Sequence, residues 1–184
     1  MFSFSNLFPQ DGSIIKPRRR TENRNFRIPL IGEEAPSFTT ETTTGTIRFP
    51  SDYGRNWKLI LSHPADFTPV CSTELIEMAN LQNEFEELGV KIITVSTDPL
   101  ETHKQWKKAL EQIEYKGYPR QKINFPIIDD SSLVIAKLYG MIHRESDNNR
   151  DVRGVFIIDP DNKIRAEFFY PQEVGRNMNE LLRT

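Results

Sequence analysis

The sequence has a single cysteine, Cys71, among its 184 residues. An internal disulfide is therefore impossible, and neither a Cys-x-x-Cys dithiol centre nor a zinc site built on several thiolates can form. Long apolar runs are missing too. The longest, such as Leu59-Ile60-Leu61 and Val155-Phe156-Ile157-Ile158, fall far below the roughly 18 residues that a membrane-spanning helix requires. Charge of one sign is not in excess: 24 basic and 26 acidic side chains leave −2. No general attraction draws the chain to nucleic acid or to an anionic membrane, and neither partner is expected. The first residues, Met1 to Ser13, lack the basic segment and apolar stretch of a secretory signal, which with one cysteine points to a reducing, cytoplasmic compartment. There is no Gly-rich phosphate loop, no Gly-x-Ser-x-Gly and no His-Glu-x-x-His. The three histidines, His63, His103 and His143, are scattered along the chain. Neither a metal nor a cofactor is expected.

What is present suits one globular domain with an extension. A chain of this length buries roughly 70% of its unfolded surface and needs no staple. Residues 1–29 stand apart, with six basic side chains (Lys16, Arg18, Arg19, Arg20, Arg24 and Arg27) against Asp11 and Glu22. They read as a basic, poorly ordered N-terminal extension, and residues 30–184 as the functional domain.

Within that domain the hydrophobic pattern alternates between strand and helix periods. The Thr-rich stretch Ser37 to Thr46, with one Gly, predicts an edge hairpin, and Lys58 to Ser62 a buried strand. Leu75, Met78, Ala79, Leu81, Phe85 and Leu88 recur at helical spacing until Gly89 stops the helix, and Val90 to Val95 is the next strand. Strand, helix and strand at that spacing make a right-handed βαβ unit. A second helix is predicted from Pro99 to Ile113, with Asp98 as its N-cap and Trp106 and Leu110 on its apolar face. Pro126 to Ile128 follows as a strand and Ser131 to Tyr139 as a helix. Val155 to Ile158 and Ile164 to Phe169 form an antiparallel hairpin, and Gly175 to Arg183 closes the chain as a helix burying Met178, Leu181 and Leu182. These elements specify an α/β, thioredoxin-like fold: a mixed central β-sheet flanked by helices on both faces.

The placement of Cys71 is informative. Thr68 can serve as a helix N-cap, Pro69 then takes the first helical position and Cys71 the third. Most lone cysteines are inert small hydrophobes. This one lies among the free N–H groups at the positive end of a helix, where the thiolate, the reactive form, is favoured.

Pro64, Thr68 and Cys71 together make Pro-x-x-x-Thr-x-x-Cys, and the stretch from Ser62 through His63-Pro64 and Phe67-Thr68-Pro69-Val70-Cys71 to Leu75 resembles the active-site segment of peroxiredoxins. It is most similar to the one-cysteine group, which opens with His-Pro and closes with Phe-Thr-Pro-Val-Cys, where two-cysteine members have Tyr-Pro and Phe-Val-Cys-Pro. Further matches run along the chain. Val90 to Thr97 before Asp98 resembles the family's strand and Ser-x-Asp turn, Arg153 to Pro160 its arginine-bearing strand, and Tyr170-Pro171 with Gly175-Arg176-Asn177 the closing segment of the one-cysteine group. That group usually continues into a C-terminal domain that helps form the dimer. Nothing follows Thr184 here, so that domain is expected to be absent.

The resemblance implies a thiol-dependent peroxidase of antioxidant defence that reduces hydrogen peroxide and organic hydroperoxides through Cys71 sulfenic acid. Cys71, Thr68, Arg153 and Pro64 would be its catalytic residues. Arg153 would hold the thiolate charged and stabilise the oxygen that gains charge, Thr68 would bind peroxide, and Pro64 would shield the site. Glu74, one turn after Cys71, would hold an arginine by a bidentate bond, and His63 would lie close enough to hydrogen-bond the cysteine. An external thiol reductant and a homodimer, paired through the Ile164 to Phe169 strand, are the implied partners. The alternative is a redox sensor or chaperone-like module switched by Cys71 oxidation.

Overall fold

The computed structural model describes residues 27–142 and 150–184. Most of the predicted N-terminal extension and His143 lie outside the described residues. Seven strands, β1 (Phe38–Thr42), β2 (Gly45–Phe49), β3 (Trp57–Ser62), β4 (Val90–Ser96), β5 (Ile127–Asp129), β6 (Arg153–Ile158) and β7 (Ile164–Tyr170), form one sheet in the order β2-β1-β5-β4-β3-β6-β7. β3, β4 and β5 run parallel, β6 pairs antiparallel with β3, and β7 pairs antiparallel with β6. The predicted βαβ unit and both hairpins are therefore present, and the first hairpin runs on to Phe49.

The side-chain period of two assigns each strand residue to a face. Leu59, Leu61, Ile92, Ile127 and Val155 pack beneath α1 (Pro69–Glu87), α2 (Leu100–Leu110) and the closing helix α4 (Met178–Arg183). Ile60, Ile93, Val95, Ile128, Phe156 and Ile158 face the other way, onto the short helix α3 (Val134–Leu138) and the aromatic cluster of Phe38, Phe49 and Tyr139. Each strand buried on both faces reads as a continuous apolar run, as a sheet covered on both sides requires. Among the described residues no helix is long and apolar enough to cross a membrane.

Helix starts differ from expectation where tertiary bonds take precedence over local caps. Asp98 is not the cap of α2. Its carboxylate accepts the Asp66 N–H at 2.7 Å, and the Leu100 N–H is met instead by Asp129 Oδ2 at 2.9 Å. α2 also ends at Leu110 rather than Ile113. α3 starts at Val134 rather than Ser131, because Leu133 turns the chain with φ 60° and Asp130 accepts the Ile135 and Ala136 N–H groups. α4 starts at Met178, since the Gly175–Arg176 stretch is occupied elsewhere, as described below.

Candidate active site

Cys71 sits where β3 hands over to α1. Phe67 turns the loop with φ 56°, Thr68 takes the extended N-cap conformation and Pro69 opens the helix, so Cys71 is its third residue. The first helical bond runs from the Ser72 N–H to the Thr68 carbonyl at 2.9 Å, which leaves the preceding amides ahead of the ladder. The Thr68 side chain does not cap the helix. Its hydroxyl donates to the Ala65 carbonyl at 3.0 Å and braces the loop. Pro64 is buried at the start of that loop, and the Cys71 side chain is only 1% exposed.

Arg153 reaches the sulfur from β6, with Nη1 3.3 Å from Cys71 Sγ. Three of its other four N–H groups are also engaged: Nη1 bonds Glu74 Oε2 at 2.8 Å, while Nε and Nη2 donate to the Gln172 carbonyl at 2.9 and 2.7 Å. The strand is pinned at this point by Ser62, whose hydroxyl donates to the Val152 carbonyl at 2.6 Å and accepts the Gly154 N–H at 2.7 Å. Gly154 allows this close approach. A Cβ there would stand 3.1 Å from Ser62 Oγ.

Glu74 binds two arginines, not one. Arg153 gives it a single bond, whereas Arg176 donates from Nε at 3.1 Å, Nη2 at 2.8 Å and its backbone N–H at 2.6 Å. The bidentate partner is thus Arg176, which also ties Nη1 to the Gly154 carbonyl at 2.8 Å. Burial alone would raise the Glu74 carboxyl, but the two guanidiniums outweigh it and hold the group below its usual range. His63, buried, lines one cavity together with Cys71, Glu74 and Arg176.

The AhpC/TSA family profile matches residues 31–167, most of the chain. The chain is also 48% identical over 157 residues to a peroxiredoxin of Methanosarcina mazei, an overlap of 85% of this chain and 72% of the relative. The chain belongs to the peroxiredoxins of the AhpC/TSA family. To the 1-Cys peroxiredoxin of Dictyostelium discoideum it is 42% identical over 153 residues, 83% of this chain and 61% of that one. A solved structure of yeast mitochondrial 1-Cys peroxiredoxin matches with a TM-score of 0.76 at 40% identity, covering 85% of this chain and 74% of its own. This peroxiredoxin is a thiol peroxidase on the thioredoxin-like fold, and the 1-Cys relatives it matches place it with the one-cysteine type.

All six residues singled out in the sequence of this peroxiredoxin fall at one end of the sheet, around the first turn of α1. Two features escaped the sequence reading. Arg176 carried no assigned role, although its Gly-Arg-Asn context was a signal. The histidines are also not all scattered: His63 Nε2 lies 2.8 Å from Asp66 Oδ1, and His103 Nδ1 lies 2.6 Å from Asp66 Oδ2. The three bring their nearest donor atoms within 4.8 Å of one another, and all are buried. Trp106 completes the cluster, with its ring 5.1 Å from that of His63 and its indole N–H on Ser72 Oγ at 3.2 Å.

Proposed function

We propose that Cys71 is the peroxidatic nucleophile, with Arg153, Thr68 and Pro64 as the other catalytic residues and Glu74 and His63 in support. The observation that carries this reading is the 3.3 Å approach of the Arg153 guanidinium to Cys71 Sγ. A cation at that distance favours the thiolate and faces the place where charge develops. The thiolate attacks one oxygen of hydrogen peroxide or an organic hydroperoxide, the S–O bond forms and the O–O bond breaks. The departing oxygen leaves with the electron pair and takes up a proton, giving water or an alcohol and Cys71 sulfenic acid. Thr68 holds the peroxide as an acceptor, its O–H being given to the Ala65 carbonyl while its oxygen lone pairs stay free to accept the peroxide O–H. Pro64, rigid and without an N–H, keeps bulk water from the sulfur. Glu74 fixes the Arg153 guanidinium, and His63 hydrogen-bonds the oxidised cysteine.

A second thiol must come from outside, because the chain has no other cysteine. It displaces water from the sulfenic acid to give a mixed disulfide, which a further thiol reduces. The yeast mitochondrial 1-Cys relative is resolved via glutathione/thioredoxin systems, which supports a reductant of that class here. Residues 30–184 act as the catalytic domain. We assign the homodimer to pairing of β7, which is an edge strand of the sheet, and the site of action to the cytoplasm, consistent with a free cysteine.

Stopped-flow oxidation of the reduced protein by hydrogen peroxide, followed by Trp57 and Trp106 fluorescence and by mass, tests the reading. Fast second-order gain of one oxygen that disappears in Cys71→Ser is expected. Oxidation no faster than that of a free thiol overturns it. One stoichiometric oxidation with a change of assembly and no turnover with an added thiol identifies a sensor instead.

A further inference from the structure

Asp66 and His103 take no part in the reaction as written, yet both are buried directly behind His63. Asp66 accepts from both rings, one on each carboxylate oxygen. Burial would raise its pKa, but the hydrogen bonds from His103 and His63 outweigh burial and hold it below the usual carboxylate range. An ionised carboxylate only accepts, so each nitrogen facing it must carry a proton. His63 is therefore protonated on Nε2, which leaves Nδ1 as a lone pair. His103 is protonated on Nδ1, and its buried Nε2, on the far side of the ring from Asp66, has no partner among the described residues. The frame is fixed from outside. The Asp66 N–H is held by Asp98, and Trp106 lies against the His63 ring.

We propose that Asp66 and His103 are positioning residues of the peroxidatic site: they hold His63 as the neutral Nε2–H tautomer, so that Nδ1 is the acceptor for the O–H of Cys71 sulfenic acid. This rests on the reading that Cys71 is the thiol oxidised by peroxide. His63 lines the same cavity as Cys71. An acceptor there keeps the sulfenic acid protonated, the electrophilic form that an outside thiol attacks. A donor would favour the sulfenate anion, the form that a second peroxide oxidises to sulfinic acid. Burial keeps His63 below its ordinary proton affinity against the pull of Asp66. His103 strengthens that effect by donating to the other Asp66 oxygen. The other charged groups around the cluster are Arg176 and Glu74 on the cavity side, with Asp98 and Asp129 on the α2 side.

The test combines imidazole 15N shifts with mass analysis of Cys71 during peroxide titration from pH 5 to 8. In the wild type, His63 is expected as the Nε2–H tautomer throughout, with one added oxygen dominating. Asp66→Asn can donate to His63 and turn its proton to Nδ1. The ratio of second to first oxidation should then rise about 5-fold, the equivalent of one net hydrogen bond. His103→Leu leaves the Asp66 charge unshared, so the same rise appears only toward low pH. His103→Asn, which keeps a donor near the position of Nδ1, restores wild-type behaviour, a rescue that a merely structural role does not predict. An Nδ1–H tautomer of His63 in the wild type overturns the proposal, and this needs no variant to fold. So do folded Asp66→Asn and His103→Leu proteins with an unchanged oxidation ratio. Failure of wild-type Cys71 to gain any oxygen overturns the peroxidase assignment of the site instead, and the tautomers are read independently of it.

Discussion

Two buried carboxyl groups, Glu74 in the second turn of α1 and Asp151 just ahead of β6, show what burial does with and without a cation. Glu74 accepts four hydrogen bonds from Arg153 and Arg176 and is held below its ordinary range. Asp151 is completely buried, neither of its oxygens has a partner among the described residues, and burial, reinforced by nearby Asp130, pushes it well above its ordinary range. The same burial leaves one carboxyl drawn toward its charged form and the other toward its neutral form. Only the first kind can hold a guanidinium against a sulfur, because a neutral acid attracts no cation. Desolvation decides the charge state of a buried acid unless paired cations outweigh it.

The contrast can be broken most severely at Glu74. Glu74→Gln leaves two buried guanidiniums facing a neutral amide, and removal of one partner of a buried pair costs about 3–5 kcal/mol. For a chain of this size that lowers Tm by roughly 6–20 °C, measurable by calorimetry. Arg153→Met is the next largest change. Glu74 keeps Arg176, so the fold survives, but the rate of Cys71 oxidation in stopped flow should fall by about 10²–10³-fold, as for loss of one preorganised donor.

Opposite pH slopes sharpen the comparison. Glu74 has a depressed folded pKa, so its stabilisation is present above its ordinary value of 4.5 and is lost as pH falls through the folded value. Asp151 has a raised folded pKa. Its contribution is complete below its ordinary value of 3.8 and is lost as pH rises toward the folded value. Asp151→Asn should therefore be matched to wild type in stability near pH 3 and gain on it at neutral pH. The gain is roughly 1.4 kcal/mol for each pH unit in which only the unfolded chain is ionised. Glu74→Gln should lose most at neutral pH and least in acid. Denaturant melts of both variants across pH 3–8 check the signs.

The parts of this molecule that could be read in the sequence are those encoded by neighbours in the chain. Thr68-Pro69 announces a helix start two residues before Cys71, and the apolar runs at 59–61 and 155–158 with the β-branched run at 92–95 announce strands covered on both faces. The parts that could not be read depend on residues far apart in sequence. Asp98 has the spacing of a cap, but a loop N–H from another element claims its carboxylate, and Asp129 takes its place. Gly175 and Arg176 continue a helical pattern, but the Arg176 backbone N–H is committed to Glu74, which delays α4 to Met178. His63 and His103 share no local motif. They meet only because α2 packs against α1 beside the loop that follows β3.

The Arg176–Glu74 clasp spans 102 residues of sequence, and the Arg153–Cys71 contact spans 82. At roughly 5–20 residues per second of synthesis, the thiol exists for about 5–20 seconds before the last of these partners has been added. During that interval Cys71 has no guanidinium beside it. The contacts that surround Cys71 are therefore complete only once the segment after β7 has docked, so the site is assembled late in synthesis.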